Sequence, residues 1–193
     1  MRGYFGVGVE GISKPMNAGS IFRSAHAFGA SFVFTVAAVY DQKIGDRSDT
    51  SRTGAQIPFY SFPDRESMIL PEKCRLVGVE LTDDAVELPS FLHPQTAAYI
   101  LGPERGSLSP EMTAQCDDIV KIPTKFCVNV GIAAAVIMYD RITSLGRFPA
   151  RVMHSGAKPV PLDEHLHGRP MLRKLRRFER QPPEVIDTYG EDE

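Results

Sequence analysis

Residues 97–106 read Ala97-Ala98-Tyr99-Ile100-Leu101-Gly102-Pro103-Glu104-Arg105-Gly106 and combine an apolar run with a polar, glycine-bearing turn. Its first five residues form a short apolar run, which predicts a buried strand. Two glycines then flank a glutamate, and glycine lets a backbone approach a ligand closely. Because open α/β proteins bind ligands at the carboxyl ends of their strands, Gly102, Glu104 and Gly106 are candidate site residues. A plain turn before a helix near Pro110 is the alternative.

Two further polar segments also follow apolar runs. They are Asn17-Ala18-Gly19-Ser20-Ile21-Phe22-Arg23 and, shortly after Ile122-Pro123, Cys127-Val128-Asn129-Val130. In the first segment, Asn17 is predicted to cap a helix that ends at Gly29, since its side chain can accept a free amide of the first turn. Asn129 precedes a long apolar segment and is predicted to cap a second helix, which does not exclude a functional role.

Arg23 is predicted to lie off the buried stripe of the first helix. Ile21, Ala25 and Phe28 recur at helical spacing and are expected to face the core. An arginine in a solvent-facing ion pair is the ordinary alternative. However, a helix start favours an anionic ligand, and a guanidinium one or two turns further on can clamp a phosphate or steer a hydroxyl. Arg23 is therefore a candidate functional residue.

Short apolar runs alternate with helical patterns along the chain. The strand-like runs cover residues 4–9, 31–39, 57–61, 75–81, 97–101 and 119–122, and the helical patterns cover 17–28, 64–70 and 130–145. This alternation predicts an α/β fold, with a mostly parallel sheet and helices on both faces. The last helix is apolar on nearly every side, which is typical of an interior or an interface.

The chain of 193 residues, 42% of them hydrophobic, is long enough for one good core. Residues 1–150 are predicted to form one domain, followed by a basic and then acidic tail, residues 151–193, that is partly ordered. Residues 40–56 are predicted to form a long polar loop, and long loops of this kind are usually functional or mobile.

The overall composition limits the possible partners. The formal net charge is −2, so any contact with nucleic acid must be local. The three cysteines form no CxxC pair and the histidines have no ligand spacing, which indicates neither a disulfide framework nor a metal site. No apolar run approaches the roughly 20 residues of a spanning helix, so a cytoplasmic protein without a membrane segment is expected.

Taken together, the three segments resemble the motifs of the SpoU-type RNA ribose methyltransferases of the SPOUT superfamily. Residues 17–23 are similar to the family's N-x-G-x-I-x-R motif, and residues 101–106 resemble its L-G-x-E-x-x-G motif. Ile122-Pro123 with residues 127–130 resembles its I-P and S-L-N-V motif, with Cys127 in place of the usual serine. The stretch between Pro123 and Cys127 is also shorter than usual. The resemblance covers roughly residues 4–145.

This resemblance implies a trefoil-knotted α/β domain, a homodimer whose site combines both subunits, S-adenosylmethionine as methyl donor, and tRNA or rRNA as substrate. No metal is implied. The implied cofactor residues are Leu101, Gly102, Glu104, Gly106, Ile122, Pro123, Val128, Asn129 and Val130. The implied catalytic residues are Arg23, Asn17, Glu104 and Asn129. The implied RNA-binding residues are Arg23 and the loop residues Lys43, Arg47 and Arg52.

Two other functions remain open from the sequence. Related knotted domains methylate bases instead of riboses. A non-catalytic RNA-binding module that kept the fold is the second alternative, and Cys127 and Gly131 are departures that suggest it. The presence of Asn17, Arg23 and the other residues of the full set argues against it. An unrelated nucleotide-binding protein is disfavoured, since the chain has neither G-x-G-x-x-G nor a phosphate loop.

Overall fold

The computed structural model describes residues 3–39, 57–146 and 148–162. The strands are β1 (Tyr4–Glu10), β2 (Phe32–Val36), β3 (Phe59–Phe62), β4 (Arg75–Val79), β5 (Val86–Glu87), β6 (Thr96–Leu101) and β7 (Asp118–Lys121). The helices are α1 (Pro15–Phe28), α2 (Pro110–Gln115) and α3 (Val130–Leu145), with a 3-10 turn at Leu88–Ser90.

The strands form one seven-stranded sheet in the order β3-β2-β1-β6-β4-β7-β5. Every neighbouring pair is parallel. Residues of α1 and α3 pack into the core on one face, whereas residues of α2 pack on the other. The predicted α/β fold, a mostly parallel sheet with helices on both faces, is therefore confirmed.

The central strand β1 separates two different cores. Phe5, Val7 and Val9 point into the core shared with α1 and α3. On the other face, Gly6 and Gly8 leave room for the rings of Phe32 and Phe34: a Cβ at either glycine would lie 2.2 to 2.3 Å from a ring atom. These two glycines are therefore required by packing and not by backbone conformation.

Helix α1 begins earlier than predicted. Its N-cap residue is Lys14, with Pro15 in the first turn, so the prediction that Asn17 caps this helix is wrong. Proline suits a first turn, because the amide that it lacks would have no helical partner there. The predicted helix end at Gly29 is confirmed, with a left-handed φ of 73°. The helix predicted at residues 64–70 is wrong too: residues 64–67 form a bend and a turn, and residues 68–70 have no regular secondary structure.

The chain divides after Phe148 into two units. All the strands and helices named above lie in the first unit. In the second unit, the described residues 149–162 form no helix or strand. The candidate RNA-binding residues Lys43, Arg47 and Arg52 lie outside the described residues, as does most of the tail. The two-part division predicted at residue 150, the knot and the homodimer stay predictions.

A buried arginine joins α3 to the start of β6. The side chain of Arg141 is 1% exposed, and its guanidinium donates to the carbonyl oxygens of Pro94 at 2.6 Å and Gln95 at 2.9 Å. It also donates to the hydroxyl of Tyr99 at 2.9 Å and lies 4.9 Å from the ring centroid of Phe5. These partners compensate for the loss of hydration of the charge.

His93 completes this buried cluster. Its Nδ1 lies 2.7 Å from the Tyr99 hydroxyl and its Nε2 lies 2.9 Å from a carboxylate oxygen of Asp140. Burial lowers the pKa of His93, although hydrogen bonding to Asp140 opposes this effect. Burial likewise raises the pKa of Tyr99 to about 12, against the opposing charge of Arg141.

Acidification is expected to destabilise the fold through His93. The unfolded chain titrates near the ordinary histidine pKa of about 6.5, so it binds more protons than the folded state as the pH falls below that value. This contribution to the free energy of unfolding is complete above about pH 6.5 and is lost as the pH falls. His93→Gln should flatten the pH dependence in urea unfolding, and an unchanged pH dependence would contradict the assignment.

Candidate active site

A cleft of about 210 Å³ lies at the carboxyl ends of β4, β6 and β7. Parallel strands end at the same edge of a sheet, which is why segments distant in sequence meet there. The cleft is lined by Val79, Glu80, Leu81, Leu101, Gly102, Pro103, Glu104, Gly106, Ile122, Thr124, Cys127, Val128, Asn129, Val130 and Ala133. The walls are therefore mostly apolar, with two carboxylates and one side-chain amide among them.

The structure brings together eight of the nine cofactor residues predicted from the sequence. Those in the lining are Leu101, Gly102, Glu104, Gly106, Ile122, Val128, Asn129 and Val130; Pro123 is not among the lining residues. The sequence analysis missed the end of β4, with Glu80 and its neighbours. The available signal was the buried strand predicted at residues 75–81, whose carboxyl end had to reach the same edge as that of β6.

The loop after β6 requires a glycine at position 102. A Cβ at Gly102 would lie 2.8 Å from the backbone nitrogen of Leu108 and 3.0 Å from the carbonyl carbon of Ser107. Both neighbours are backbone atoms, so neither can rotate away. Gly106 has a φ of +128°, which only glycine adopts readily. The path of the loop along the cleft therefore depends on both glycines.

Glu104 anchors this loop to the start of α1. Its carboxylate accepts hydrogen bonds from the backbone amides of Ser13 at 3.2 Å and Lys14 at 2.9 Å, and from the Ser13 hydroxyl at 3.1 Å. The side-chain amide of Asn17 donates to it at 3.1 Å. Burial alone would raise the pKa of Glu104, but these hydrogen bonds and its own backbone amide outweigh burial and lower it. The carboxylate is thus ionised and fixed in position.

Asn17 connects Glu104 with Asn129. The Asn129 side-chain nitrogen donates to the Asn17 Oδ1 at 3.2 Å, while the Asn129 Oδ1 accepts from the Gly131 amide at 2.9 Å. Asn129 is therefore the N-cap of α3, as predicted. Three residues chosen separately from the sequence form one hydrogen-bonded chain, which holds the starts of α1 and α3 against the loop after β6.

Arg23 lies further along α1 than Asn17. Its side chain is exposed on α1, as the helical spacing predicted, and it is not among the residues that line the cleft. Within one chain, the candidate substrate-contacting residue Arg23 is therefore not part of the lining of the candidate cofactor cleft.

Two of the three cysteines are partly buried thiols. Burial raises the pKa of Cys74 to about 11 and that of Cys116 to about 12, so neither is a thiolate at neutral pH. Cys127 is exposed in the cleft lining, and no described histidine hydrogen-bonds to it. Within the described ranges, no group of three His, Cys, Asp or Glu residues could hold a metal ion, and no helix is long and apolar enough to cross a membrane.

The fold and the site together define a class of protein. It is the class of α/β proteins that bind a small ligand in a cleft at the carboxyl ends of parallel strands, between apolar walls and fixed polar groups. The model of the SpoU rRNA Methylase family matches residues 5–139. This match covers most of the chain, so the chain belongs to the SpoU family, a family of RNA methyltransferases.

Individual relatives are more distant. The tRNA (guanosine(18)-2'-O)-methyltransferase of Escherichia coli K12 is 22% identical over 196 residues, which cover 96% of this chain and 84% of the relative. The solved SpoU methyltransferase AviRb of Streptomyces viridochromogenes, in complex with the cofactor AdoMet, is 26% identical, with a TM-score of 0.64. That match covers 75% of this chain and 59% of AviRb.

A third relative supports the fold alone. The AdoMet-bound rRNA methyltransferase of Sinorhizobium meliloti is 21% identical and superimposes with a TM-score of 0.66, over 75% of this chain and 58% of that one. This chain therefore spans less than two thirds of the length of these solved structures, although it spans most of the E. coli enzyme.

Proposed function

We propose that the protein is an S-adenosylmethionine-dependent RNA methyltransferase that methylates a ribose 2'-hydroxyl of tRNA or rRNA. The observation that carries this proposal is that two of the predicted segments line one cleft, while the third is joined to them through Asn17, which hydrogen-bonds to both Glu104 and Asn129. Membership of the SpoU family supports the reaction class. The tRNA 2'-O-methyltransferase of E. coli supports the acceptor, and the AdoMet complex of AviRb supports the donor.

The cleft fits the proposed cofactor. Leu101, Ile122 and Val130 offer apolar surface for a nucleoside, and Gly102 lets the loop backbone run close to a ligand. The carboxylates of Glu80 and Glu104 give this edge of the sheet a negative character that suits a sulfonium cation. When bound, S-adenosylmethionine supplies an electrophilic methyl group, and the residues named here would hold and orient it.

The proposed reaction needs alignment and the removal of one proton. The nucleophilic oxygen, the methyl group and the leaving sulfur must lie in line, which positioning by the cleft would supply. The proton on the ribose 2'-oxygen must also be lost. Arg23 is a poor base because its guanidinium stays protonated. We propose that it lowers the pKa of the hydroxyl or anchors the adjoining phosphate.

A homodimer would bring Arg23 to a cleft. Three large apolar side chains on α3, Ile132, Val136 and Tyr139, are 57%, 36% and 57% exposed and share one helical face. They line a shallow groove together with Ser20 and other residues of α1. Exposed apolar surface of this kind marks interaction sites. A second copy covering it would place the partner beside α1, the helix that carries Arg23.

Ile132→Glu is expected to turn the dimer into a monomer and to remove methylation, because an uncompensated charge in an apolar interface is costly. Sedimentation velocity measures the oligomeric state. Ile69→Glu is the matched control, since Ile69 is 80% exposed outside this groove. A monomeric wild type with full activity would contradict the two-subunit site, and an Ile132→Glu variant that stays dimeric would show that this groove is not the interface.

Lys43, Arg47 and Arg52 are proposed, together with Arg23, to contact RNA phosphates. Such contacts release counterions, so the affinity for RNA should fall steeply with salt. Because the net charge of the whole chain is −2, this attraction must come from a local cluster.

Calorimetric titration with S-adenosylmethionine tests the proposed function. We expect measurable heat and protection against thermal unfolding, since a ligand that binds only the folded state stabilises it. Gly102→Val should lose both effects, because its side chain would collide with the backbone at Leu108. Absence of heat and protection in the wild type would favour the RNA-binding module. The nature of the methylated nucleoside distinguishes ribose from base methylation.

A further inference from the structure

Three carboxylates surround the loop that connects β6 with α2. Glu104 holds one end of the loop, as described above. Glu10, at the end of β1, accepts from the Ser109 amide at 2.8 Å and from its hydroxyl at 2.6 Å. Glu80, directly after β4, accepts from the amide of Leu108 at 2.8 Å and from that of Leu81 at 2.9 Å. Each carboxylate thus has a role in positioning the loop.

The three carboxylates differ in what they can offer a ligand. Glu104 lines the cleft but accepts four side-chain or backbone donors from residues 13–17. Glu10 is not among the lining residues. Glu80 lines the cleft and accepts one described hydrogen bond at each oxygen. A carboxylate oxygen has two acceptor sites, so each oxygen of Glu80 can accept one hydrogen bond beyond the one described.

The two oxygens of Glu80 can accept a pair of hydrogen bonds from a ligand. Its neighbours Val79 and Leu81 line the same part of the cleft, and its Oε2 lies 3.5 Å from the position of a Cβ at Gly102, where the loop backbone runs close. The amino-acid end of S-adenosylmethionine carries a carboxylate, which Glu80 would repel. Its ribose instead carries two adjacent hydroxyls, which match the two oxygens of a fixed carboxylate.

We propose that Glu80 is a cofactor-binding residue that accepts hydrogen bonds from the ribose hydroxyls of the methyl donor. This inference rests on the proposed function. The two backbone amides that hold Glu80 set the orientation of its carboxylate before the ligand arrives, so little ordering is needed on binding. Glu80 would thereby select nucleosides with an intact ribose diol.

Calorimetry with three probes tests this contact: S-adenosylhomocysteine and its 2'-deoxy and 3'-deoxy analogues. A hydrogen bond to a charged group is strong enough for its loss to weaken binding about tenfold. We expect the wild type to bind each deoxy analogue about tenfold more weakly than it binds S-adenosylhomocysteine. We also expect Glu80→Gln to bind S-adenosylhomocysteine about tenfold more weakly than the wild type does. The analogues should bind Glu80→Gln with little further loss, since the interaction is already weakened.

Glu10→Gln is the matched control. It makes the same change to a carboxylate that holds the same loop but lies outside the cleft lining, and it should keep the wild-type preference for the intact ribose. If Glu80→Gln weakens binding of all three probes by the same factor, or of none, the contact is refuted. If the wild type binds none of the probes, the proposed function itself fails.

Discussion

Arg23→Ala is expected to lower RNA methylation by at least about a hundredfold, the scale at which proton transfer and charge stabilisation contribute to catalysis. The affinity for S-adenosylmethionine should be nearly unchanged, because Arg23 is not among the residues that line the cleft. Single-turnover methylation measures the first quantity and calorimetry the second. This separation of binding from chemistry is the distinctive feature of the expected result.

The matched variant is Arg23→Lys, which keeps the positive charge but loses the planar guanidinium that can contact two oxygens at once. If Arg23 only attracts RNA through its charge, lysine should restore most of the activity. If the guanidinium geometry is needed at the acceptor hydroxyl or phosphate, lysine should restore little. Full activity of Arg23→Ala would end the assignment of Arg23 to catalysis.

Arg141→Met is expected to lower the free energy of unfolding by roughly 3 kcal/mol or more, since it leaves several buried acceptors without a donor. The acceptors are the carbonyl oxygens of Pro94 and Gln95 and the hydroxyl of Tyr99. Methionine fills much of the same space, so the loss would come mainly from these polar groups. Urea unfolding at neutral pH measures the change.

Arg75→Met is the matched control for this prediction. The Arg75 guanidinium lies 3.0 Å from a carboxylate oxygen of Asp118, but its side chain is 51% exposed. Exposed ion pairs contribute only about 0.5 kcal/mol, so this variant should remain close to the wild type. Equal losses in the two variants would show that the buried cluster around Arg141 does not hold α3 to the start of β6.

The sequence predicted the elements whose signals are local. The apolar run before Gly102 became β6, and the helix predicted at residues 130–145 has the predicted bounds. Asn129 caps that helix through its Oδ1, which leaves its side-chain nitrogen to donate to Asn17. The cap predicted at Asn17 was wrong because α1 begins two residues earlier, at Pro15. The side-chain amide of Asn17 donates to Glu104 instead. Capping preference alone cannot reveal such a contact, because the two residues are far apart in sequence.

The residues that the sequence analysis missed depend on distant partners. Arg141 lies within a helix that reads as apolar, and its partners at Pro94 and Gln95 are 47 and 46 residues away. Glu80 lies near the end of the strand predicted at residues 75–81 and belongs to no motif; it becomes notable only because it lines the cleft and accepts from the Leu108 amide, 28 residues away. Burial of a charged group is decided by such tertiary contacts, which no local pattern encodes.

Identification of the methylated nucleoside tests directly whether the protein transfers a methyl group to ribose. The purified protein is incubated with isotope-labelled S-adenosylmethionine and either tRNA or rRNA, and the RNA is digested to nucleosides for mass spectrometry. We expect the label in a 2'-O-methylated ribose, and its disappearance with Arg23→Ala. A label on a nucleobase, or a cofactor-bound protein that labels neither RNA, would contradict methyl transfer to ribose.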